Sequence, residues 1–496
     1  MSKSEKKITF DWILVAILIL SAFLRFYSYS TRWGLAYDQA WFAVIARHAL
    51  NTFQLPLLGP FASGGPFQTG GEWFWIVMIG TLLNPYSVIS SWVFITFLSI
   101  FQVYLMYVVA KQFVGKGFAY ATALLGAVSV SQILQSTNLT SQMTASLCAS
   151  LLLLVAILYI RKEKSIFLFI SGLSVGLASA IHLQGVLLII PLMCFIVVTK
   201  SFSPKKIFLI AFGMLLPWLP VLIIDVQNNF YNTKNMLMYF TNPQSQASYE
   251  QLGRRWLTFT TTYVPNSWGR IVGGNIFIGY LEILLVGATL IYKFYKRIYE
   301  KKWIFVLTST IIATVLLRYI KTPLYENYTT FLHPFIFLLI AWAIWNLFKI
   351  NKYAAYFVLG IIVICSIATV WKDIGWSSNL TDGQTKQYVS ILKNKFPNEK
   401  FAIYDYNYKF NYKTLPLVLY LQTEGLIDDN GHRVGIAMAT PGSRMNFIPH
   451  KEVGDVGGFQ IFDLESSVSA VLQKAQWAFV NPSMIYNSVE YWYKDK

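Results

Sequence analysis

The chain has 496 residues, of which 55% are hydrophobic, 17% aromatic and only 13% charged, whereas a soluble globular domain carries about 25% charged residues. A net charge of +17 would suit a nucleic-acid-binding protein, but the basic residues cluster in short connectors between apolar runs, which is typical of membrane proteins. The composition therefore excludes an ordinary soluble domain and predicts a polytopic α-helical membrane protein.

Apolar runs that are long enough, or nearly long enough, to cross a membrane occur along the first three quarters of the chain, since a span needs roughly 20 residues. They cover residues 11–30, 88–110, 118–135, 141–160, 166–183, 185–200, 207–224, 273–292, 303–320, 328–348 and 353–371. The sequence thus predicts about 11 transmembrane helices. The run at 72–83 is too short to span and is expected to form a membrane-surface or re-entrant helix.

Basic residues fall in alternate connectors, which fixes the expected orientation. They are Lys3, Lys6, Lys7, Lys111, Lys116, Arg161, Lys162, Lys164, Lys200, Lys205, Lys206, Lys293, Lys296, Arg297, Lys301, Lys302, Lys349 and Lys352. The positive-inside rule makes this side cytoplasmic. We therefore expect a membrane domain over 1–371, with extracytoplasmic loops at 31–87 and 225–272.

The composition changes after residue 371, and the pattern of the tail predicts an extracytoplasmic α/β domain over 372–496. "TKQYVSILKNKF" favours a helix and "KFAIYDYNY" alternates like a strand. "LPLVLYLQTEG" favours a helix that ends at Gly425, and "RVGIAMAT" a second strand. "VLQKAQWAFV" lies within a last helix or strand pair.

Asp38 is the first candidate catalytic residue, because it begins "DQAWFAVIARHAL" just after the first predicted span. Trp41, Ile45 and Ala49 share one helical face, so this segment is expected to lie along the membrane surface. Spacing alone favours Asp38 as a helix N-cap. The alternative is a general base that takes a proton from an attacking hydroxyl, beside Tyr37.

Glu72 is the second candidate catalytic residue. It follows "FASGGPFQTGG", a glycine-rich loop that allows backbone to approach a ligand closely. The alternative is that the loop is a flexible connector and Glu72 stabilises the N-terminus of the next helix.

Basic and tyrosine residues of the predicted outer loops are candidates for substrate binding, because Arg and Lys hold phosphate through charge-assisted hydrogen bonds. They are Tyr37, Arg254, Arg255, Arg270, Arg318, Lys321, Tyr325 and Tyr328. Any single one of these cations also suits snorkelling toward lipid headgroups.

Three polar residues lie in or beside apolar runs. Glu282 sits inside a predicted span, where a charge costs about 2.5–3.5 kcal/mol, so it is expected to be protonated, paired or facing a cavity. His182 and Gln184 lie near the outer end of a span, where a helix-packing hydrogen bond is the usual role.

These features resemble the GT-C superfamily of polyprenyl-phosphate-sugar-dependent glycosyltransferases, in its protein O-mannosyltransferase, aminoarabinose transferase and Rgt-type branch. "YDQAWFAVIARHAL" is similar to the family's acidic motif and following helix in the first outer loop, and "ENYTTFLHPFIFLLIAWAIW" to its entry into a late span. The resemblance implies sugar transfer from a lipid-phosphate donor with inversion, Asp38 acting as base. The family's Glu is Gln39 here, and "LQSTNLTSQMTAS" lacks an acid, so no metal site is predicted and a divalent cofactor is doubtful.

Two other functions stay open at the sequence level. A lipid-linked saccharide transporter or flippase would place ionisable residues along a path through the spans, and a catalytically inactive relative would bind glycans. For the transferase, the expected partners are a polyprenyl-phosphate-linked sugar, membrane lipids and a glycan, lipid or protein acceptor, without nucleic acid. The expected location is a bacterial or archaeal plasma membrane, with the site facing outward.

Overall fold

The structure is a computed structural model. It describes residues 10–62, 67–241, 256–319, 326–375, 380–406, 414–438, 451–456, 459–465, 477–480 and 482–490. Four predicted substrate-binding residues lie outside the described residues: Arg254, Arg255, Lys321 and Tyr325.

The N-terminal part is almost entirely helical. Its α-helices are α1 (Trp12–Phe26), α2 (Tyr29–Arg32), α3 (Tyr37–Thr52), α4 (Glu72–Leu83), α5 (Ser90–Phe113), α6 (Lys116–Ala127), α7 (Val130–Gln135), α8 (Gln142–Lys162), α9 (Ile166–Ile181), α10 (Ile189–Thr199), α11 (Pro204–Leu215), α12 (Leu219–Gln227), α13 (Tyr231–Thr241), α14 (Val264–Ile271), α15 (Ile276–Tyr295), α16 (Lys301–Leu317), α17 (His333–Ile350) and α18 (Lys352–Gly375). A short hairpin, β1 (Leu58–Phe61) with β2 (Gln68–Gly70), separates α3 from α4. Helical turns at Leu183–Leu188, Leu216–Trp218 and Glu326–Leu332 extend three of the helices.

Every predicted apolar run coincides with helix in the structure. Within the described residues, six helices are long and apolar enough to cross a membrane, and several others are apolar but shorter. The chain is therefore an integral membrane protein, whereas the number of eleven crossings stays a prediction. The run at 72–83 is a 12-residue helix, α4, as its length predicts.

The third predicted span is broken into two helices, α6 and α7, which the hydropathy pattern did not reveal. Arg25 is fully buried and donates to the carbonyl oxygens of Gly126 at 3.3 Å and Ala127 at 3.0 Å. Ser129 then caps α7 through its hydroxyl. These side chains replace the helical hydrogen bonds that are lost at the break, which makes a broken helix tolerable at membrane depth.

The C-terminal part is an α/β domain, as the sequence predicts. It contains α19 (Leu380–Lys395), β3 (Phe401–Tyr406), α20 (Thr414–Thr423), β4 (His432–Met438), β5 (Lys451–Val456), β6 (Phe459–Asp463), β7 (Trp477–Phe479) and α21 (Pro482–Glu490). The strand order is β5-β6-β4-β3-β7, with β3 and β4 parallel and the other pairs antiparallel. Gly425, with φ +70°, follows α20 as predicted.

Helix α3 lies between the two parts of the molecule. It packs against α4 on one side, where the Trp41 and Phe74 rings are 5.8 Å apart, and against α20 and α21 on the other. The His48 and Tyr486 rings, 5.2 Å apart, mark the contact with α21. The expectation of a surface helix with one buried face was incomplete, because the C-terminal domain covers the second face.

Candidate functional site

Asp38 stands in the first turn of α3 with its side chain open to solvent. The N-cap of α3 is Ala36, in extended conformation and without a side-chain cap, so Asp38 is not the N-cap residue that its spacing favoured. Among the described residues, its hydrogen bonds come from backbone N–H groups, with the Gln39 N–H at 3.0 Å. Desolvation by neighbouring protein raises the pKa of Asp38, and these backbone bonds oppose the rise only in part. A carboxylate with a raised pKa is a stronger base than an aspartate of ordinary pKa.

Asp405, at the end of β3, is a second acid near this position that sequence reasoning missed. It is 1% exposed and accepts a hydrogen bond from the Thr414 hydroxyl at 3.2 Å. Desolvation raises the pKa of Tyr37 to about 12, and the charges of Asp405 and Asp38 both add to the rise. Tyr37 therefore stays a protonated phenol between two carboxylates.

The packing of α20 on α3 agrees with this placement. The Gln422 side chain of α20 donates to the carbonyl of Val44 in α3 at 3.4 Å. Val44 lies about 10 Å along its helix from Tyr37, and Gln422 lies about 12 Å along its helix from Thr414. Because the charge of Asp405 acts on Tyr37, the two packed helices bring the Thr414 end of α20, and with it Asp405, near the start of α3.

Gln39 occupies the position of the family's second acid, and its side chain has a structural role. Its Oε1 accepts from the Trp92 indole N–H at 2.9 Å and from the Leu139 N–H at 3.0 Å. Its Nε2 donates to Asn138 Oδ1 at 3.4 Å. The buried amide thus joins α3 to α5 and to the segment before α8. This position needs a side chain that both donates, to Asn138, and accepts, from Trp92 and Leu139. This network explains why an amide, rather than a carboxylate, fits here.

Glu72 begins α4 and is 5% exposed. A Cβ added to Gly70 would lie 2.0 Å from Glu72 Oε2 and 3.2 Å from Ala180 Cβ, so the carboxyl group folds back over β2 beside the end of α9. Its Oε2 has no hydrogen-bond partner within the described part of the chain. Desolvation raises the pKa of Glu72 to about 7. A catalytic role that Glu72 shares with Asp38 stays a prediction.

The hairpin beside Glu72 is tied to the segment that follows α12. The Asn232 side chain accepts from the Gln68 N–H at 2.8 Å and donates to the Gln68 carbonyl at 3.1 Å, as a neighbouring strand would. Asp225 in turn accepts from the backbone N–H groups of Asn232 at 2.7 Å and Thr233 at 3.1 Å. Asp225 therefore shapes the loop around the site rather than offering a free carboxylate.

The described members of the predicted phosphate-binding set lie in different surroundings. Arg270 forms an ion pair with Asp373 of α18, at 3.9 Å. Arg318 is buried at the end of α16, with its guanidinium 4.0 Å from the Trp256 ring centroid. Tyr328 lies half-buried in the helical turn before α17. Stacking of Arg318 on Trp256 joins the connector after α16 to the segment that directly follows Arg254 and Arg255 in sequence.

The acidic and phenolic side chains around Asp38 do not resemble a metal site. In the part of the chain that the structure describes, no three His, Cys, Asp or Glu side chains gather as a group that could hold a metal ion. A hard divalent cation wants several oxygen ligands, and Asp38, Tyr37 and Asp405 do not supply such a set.

The structure is similar to that of ArnT from Cupriavidus metallidurans, at 12% sequence identity over 91% of this chain and 97% of that one. The TM-score is 0.62 for the apo state and 0.63 for the state bound to undecaprenyl phosphate. It is also similar to an Archaeoglobus fulgidus oligosaccharyltransferase in complex with Zn and sulfate, with a TM-score of 0.50 and 13% identity over 78% of this chain and 56% of that one. No protein-family model matches the sequence, and no curated protein matches it.

Both of these structures are GT-C membrane glycosyltransferases, and at such low identity the likeness concerns the fold. It spans the helical part and the C-terminal domain together in the case of ArnT. The chain therefore has the fold of the GT-C membrane glycosyltransferases, as its sequence predicts.

Proposed function

We propose that the protein is a glycosyltransferase that moves a sugar from a polyprenyl-phosphate-linked donor to an acceptor hydroxyl on the extracytoplasmic face of the membrane. The observation that carries this proposal is the state of Asp38. It is open to solvent, is bonded by backbone N–H groups alone among the described residues, and has a raised pKa. Asp11 and Asp225, by contrast, also accept hydrogen bonds from tyrosine or threonine hydroxyls.

In the proposed reaction, Asp38 removes the proton of the acceptor hydroxyl as its oxygen attacks the anomeric carbon of the sugar. The bond between that carbon and the phosphate oxygen breaks, and its electron pair leaves with the polyprenyl phosphate. A phosphate monoester is a stable anion, so this leaving group needs charge stabilisation rather than a proton. Attack opposite the leaving group inverts the anomeric carbon, and Asp38 then returns its proton to solvent.

The C-terminal domain supports a place for the acceptor. Asp405 lies one residue before the end of β3, and β3 is parallel to β4. In open α/β sheets, ligands bind beyond the carboxyl ends of parallel strands. With that edge level with Asp38, an acceptor held there would present its hydroxyl to the base, while the lipid donor approaches from the membrane side.

Phosphate binding is assigned to the cations near the connector between α16 and α17. Arg318 offers a guanidinium whose flat face stacks on Trp256, which fixes its direction. Lys321, Tyr325 and Tyr328 follow in the same connector, and Arg254 and Arg255 precede Trp256. Arg270 is a weaker candidate because Asp373 already neutralises it in part.

The transporter alternative has less support. Glu282 is fully buried in α15, and neither of its carboxyl oxygens bonds to another described residue. An isolated carboxyl group inside one helix does not form a path of ionisable groups through the spans.

The experiment compares wild type with Asp38→Asn, both purified in lipid nanodiscs. The assay follows release of undecaprenyl phosphate from a panel of undecaprenyl-phosphate-linked hexoses and pentoses, with cell-envelope glycan, lipid and peptide fractions as acceptors. A positioned base contributes roughly 10²–10⁴-fold, so we expect turnover to fall by about that factor while donor binding is kept. Equal release by both proteins would remove Asp38 as the base, and lack of release by wild type with every donor would argue against the transferase.

A further inference from the structure

A small group of neutral polar side chains lies where α8, α9 and the helical turn after α9 meet. Gln142 begins α8, His182 ends α9 and Gln184 lies in the turn of Leu183–Leu188. The amide of Gln142 is 3.4 Å from His182 Nε2, and the Gln184 N–H donates to His182 Nδ1 at 3.3 Å. We call these three residues the amide cluster.

The hydrogen bonds of His182 determine how Gln142 is oriented. Because Nδ1 accepts from a backbone N–H, it carries no proton, and in a neutral imidazole the proton is then on Nε2. An Nε2–H needs an acceptor, so Gln142 turns its carbonyl oxygen toward His182; the two ends of an amide are assigned from such networks. The NH₂ group of Gln142 is left pointing away from the histidine.

Several polar groups of the amide cluster have no protein partner that the structure describes. The second polar atom of Gln142 and both polar atoms of Gln184 are buried without a hydrogen bond to any described residue. Buried amide groups are normally bonded, because leaving one unpaired costs its full desolvation. The helix-packing role expected from sequence accounts for His182, but not for the side chain of Gln184.

Two further buried polar groups, Glu72 and His333, lie on segments next to those of the amide cluster. The Glu72 carboxyl lies beside Ala180, two residues before His182, with Oε2 unpaired in the described chain. The Thr330 hydroxyl donates to the backbone carbonyl of Gln142 at 2.9 Å. His333 follows three residues later, the spacing that places side chains on one face of a 3₁₀ turn. It is fully buried, and neither ring nitrogen bonds to a described residue.

The chemistry of these groups selects the class of ligand. Amides both donate and accept, as sugar hydroxyls do, and none of the cluster's members is a Lys or Arg that would hold a phosphate. The amide cluster also lies near Asp38 in space. Leu139, three residues before Gln142, donates its backbone N–H to Gln39, the residue after Asp38. A sugar joined to a membrane-bound phosphate would reach both.

We propose that the amide cluster binds the hydroxyl groups of the donor sugar and so sets which sugar is transferred. This inference rests on the proposed transferase function. It assigns recognition of the sugar to Gln142 and Gln184, apart from the cations that bind the phosphate.

The test measures binding to the purified full chain in nanodiscs, by calorimetry, with two kinds of probe. One probe is undecaprenyl phosphate, and the other is a panel of undecaprenyl-phosphate-linked hexoses and pentoses. Wild type is expected to bind at least one sugar-bearing lipid more tightly than undecaprenyl phosphate. Gln142→Leu and Gln184→Leu should each weaken that lipid by roughly tenfold, because each removes a hydrogen bond and leaves a sugar hydroxyl unpaired, and should leave undecaprenyl phosphate affinity unchanged.

Gln102→Leu is the matched control. Gln102 is another buried glutamine, held in α5 by the Ser146 and Ser150 hydroxyls at 3.1 and 2.6 Å, and its loss should affect both lipids alike. Unchanged undecaprenyl phosphate affinity also reports folding, and Gln184→Asn replaces the leucine variant if that one does not fold.

Equal effects of the variants on both lipids, or none on either, would overturn the subsite and indicate that buried water satisfies the amides. A wild type that binds undecaprenyl phosphate but prefers no sugar-bearing lipid overturns the subsite alone, and one that binds no lipid overturns the proposed function as well.

Discussion

Asp11 and Asp38 are both aspartates at the start of a helix, yet their surroundings are opposite. Asp11 caps α1, with Oδ1 accepting from the Leu14 N–H at 3.3 Å. The phenols of Tyr107 and Tyr120 donate to it at 2.8 and 2.7 Å. Asp38 caps nothing and is bonded by backbone N–H groups alone among the described residues.

The pKa values shift in opposite directions for this reason. Burial raises the pKa of Asp11, but the hydrogen bonds from Tyr120, Tyr107 and Leu14, with the charge of Lys116, lower it overall. Desolvation by neighbouring protein raises the pKa of Asp38, and its backbone bonds do not reverse the effect. The carboxylate of Asp11 is held by the fold, whereas we propose that the carboxylate of Asp38 is available to a substrate.

The largest expected effect is the loss of turnover in Asp38→Asn, whereas Asp11→Asn should mainly lose stability. Asp38→Asn should lower turnover roughly 10²–10⁴-fold and leave the melting temperature close to that of wild type, since no cap is lost. Asp11→Asn should keep turnover within about a factor of two and lower the free energy of unfolding by about 1–2 kcal/mol. Both are measured on purified protein, by lipid-phosphate release and thermal unfolding at neutral pH.

The Asp11 effect has a defined pH dependence. The folded pKa of Asp11 is below its ordinary value of 3.8, so its charge stabilises the fold above that value. The stabilisation disappears as the pH falls through the folded pKa, where wild type and Asp11→Asn converge. A turnover loss in Asp11→Asn that equals the loss in Asp38→Asn would break the distinction between the two aspartates.

Glu72 extends the comparison to a buried carboxyl group whose pKa is raised from 4.5 to about 7. Between these two pH values the unfolded chain releases a proton that the folded chain keeps, so stability falls as the pH rises, by at most about 3 kcal/mol. Glu72→Gln removes this dependence. The variant should unfold at a higher temperature than wild type at pH 8 and at a similar temperature at pH 4.5. Parallel melting curves at both pH values would mean that Glu72 is paired.

Gln39→Glu tests whether an acid beside Asp38 restores a catalytic pair. A carboxylate accepts from Trp92 and Leu139 but cannot donate to Asn138, and it buries a charge. We expect a loss of about 1–3 kcal/mol in the free energy of unfolding and no gain in turnover. Gln39→Met, which removes both functions of the amide, is the control for stability. Higher turnover with an unchanged melting temperature would assign this position to the active site.

The helical membrane fold could be predicted because span length is a property of single segments, and the GT-C fold because short motifs of the sequence resemble that superfamily. The break between α6 and α7 was missed because the donors that replace its lost bonds come from Arg25, on another helix. The position of Asp38 was predicted, whereas its surroundings were not, since α20 and α21 cover α3 only after the chain has folded.

The members of the site that sequence analysis missed share one property. Asp405 lies in a strand of another domain, and Gln142 is one of many neutral residues in an acid-free loop. Neither stands out by charge, spacing or hydropathy. The roles that we propose for them depend on the effect of the Asp405 charge on Tyr37 and on the contact of Gln142 with His182. These partners are distant in sequence, so only a three-dimensional arrangement identifies them.

The smallest expected effect concerns a cation rather than an acid. Arg270 and Asp373 form a half-exposed pair at 3.9 Å, and exposed pairs contribute about 0.2–1 kcal/mol. If pairing is the whole role of Arg270, Arg270→Gln and Asp373→Asn should each cost less than about 1 kcal/mol of unfolding free energy, and the double variant should cost no more than the larger single effect. The KM for the lipid donor should be the same in all three variants.

If Arg270 also binds the phosphate, Arg270→Gln should raise that KM, whereas Asp373→Asn should lower it by freeing the cation. Opposite KM shifts would therefore indicate that Arg270 acts on the substrate, as we propose for Asp38. Equal KM values would indicate a purely structural role, like that of Asp11.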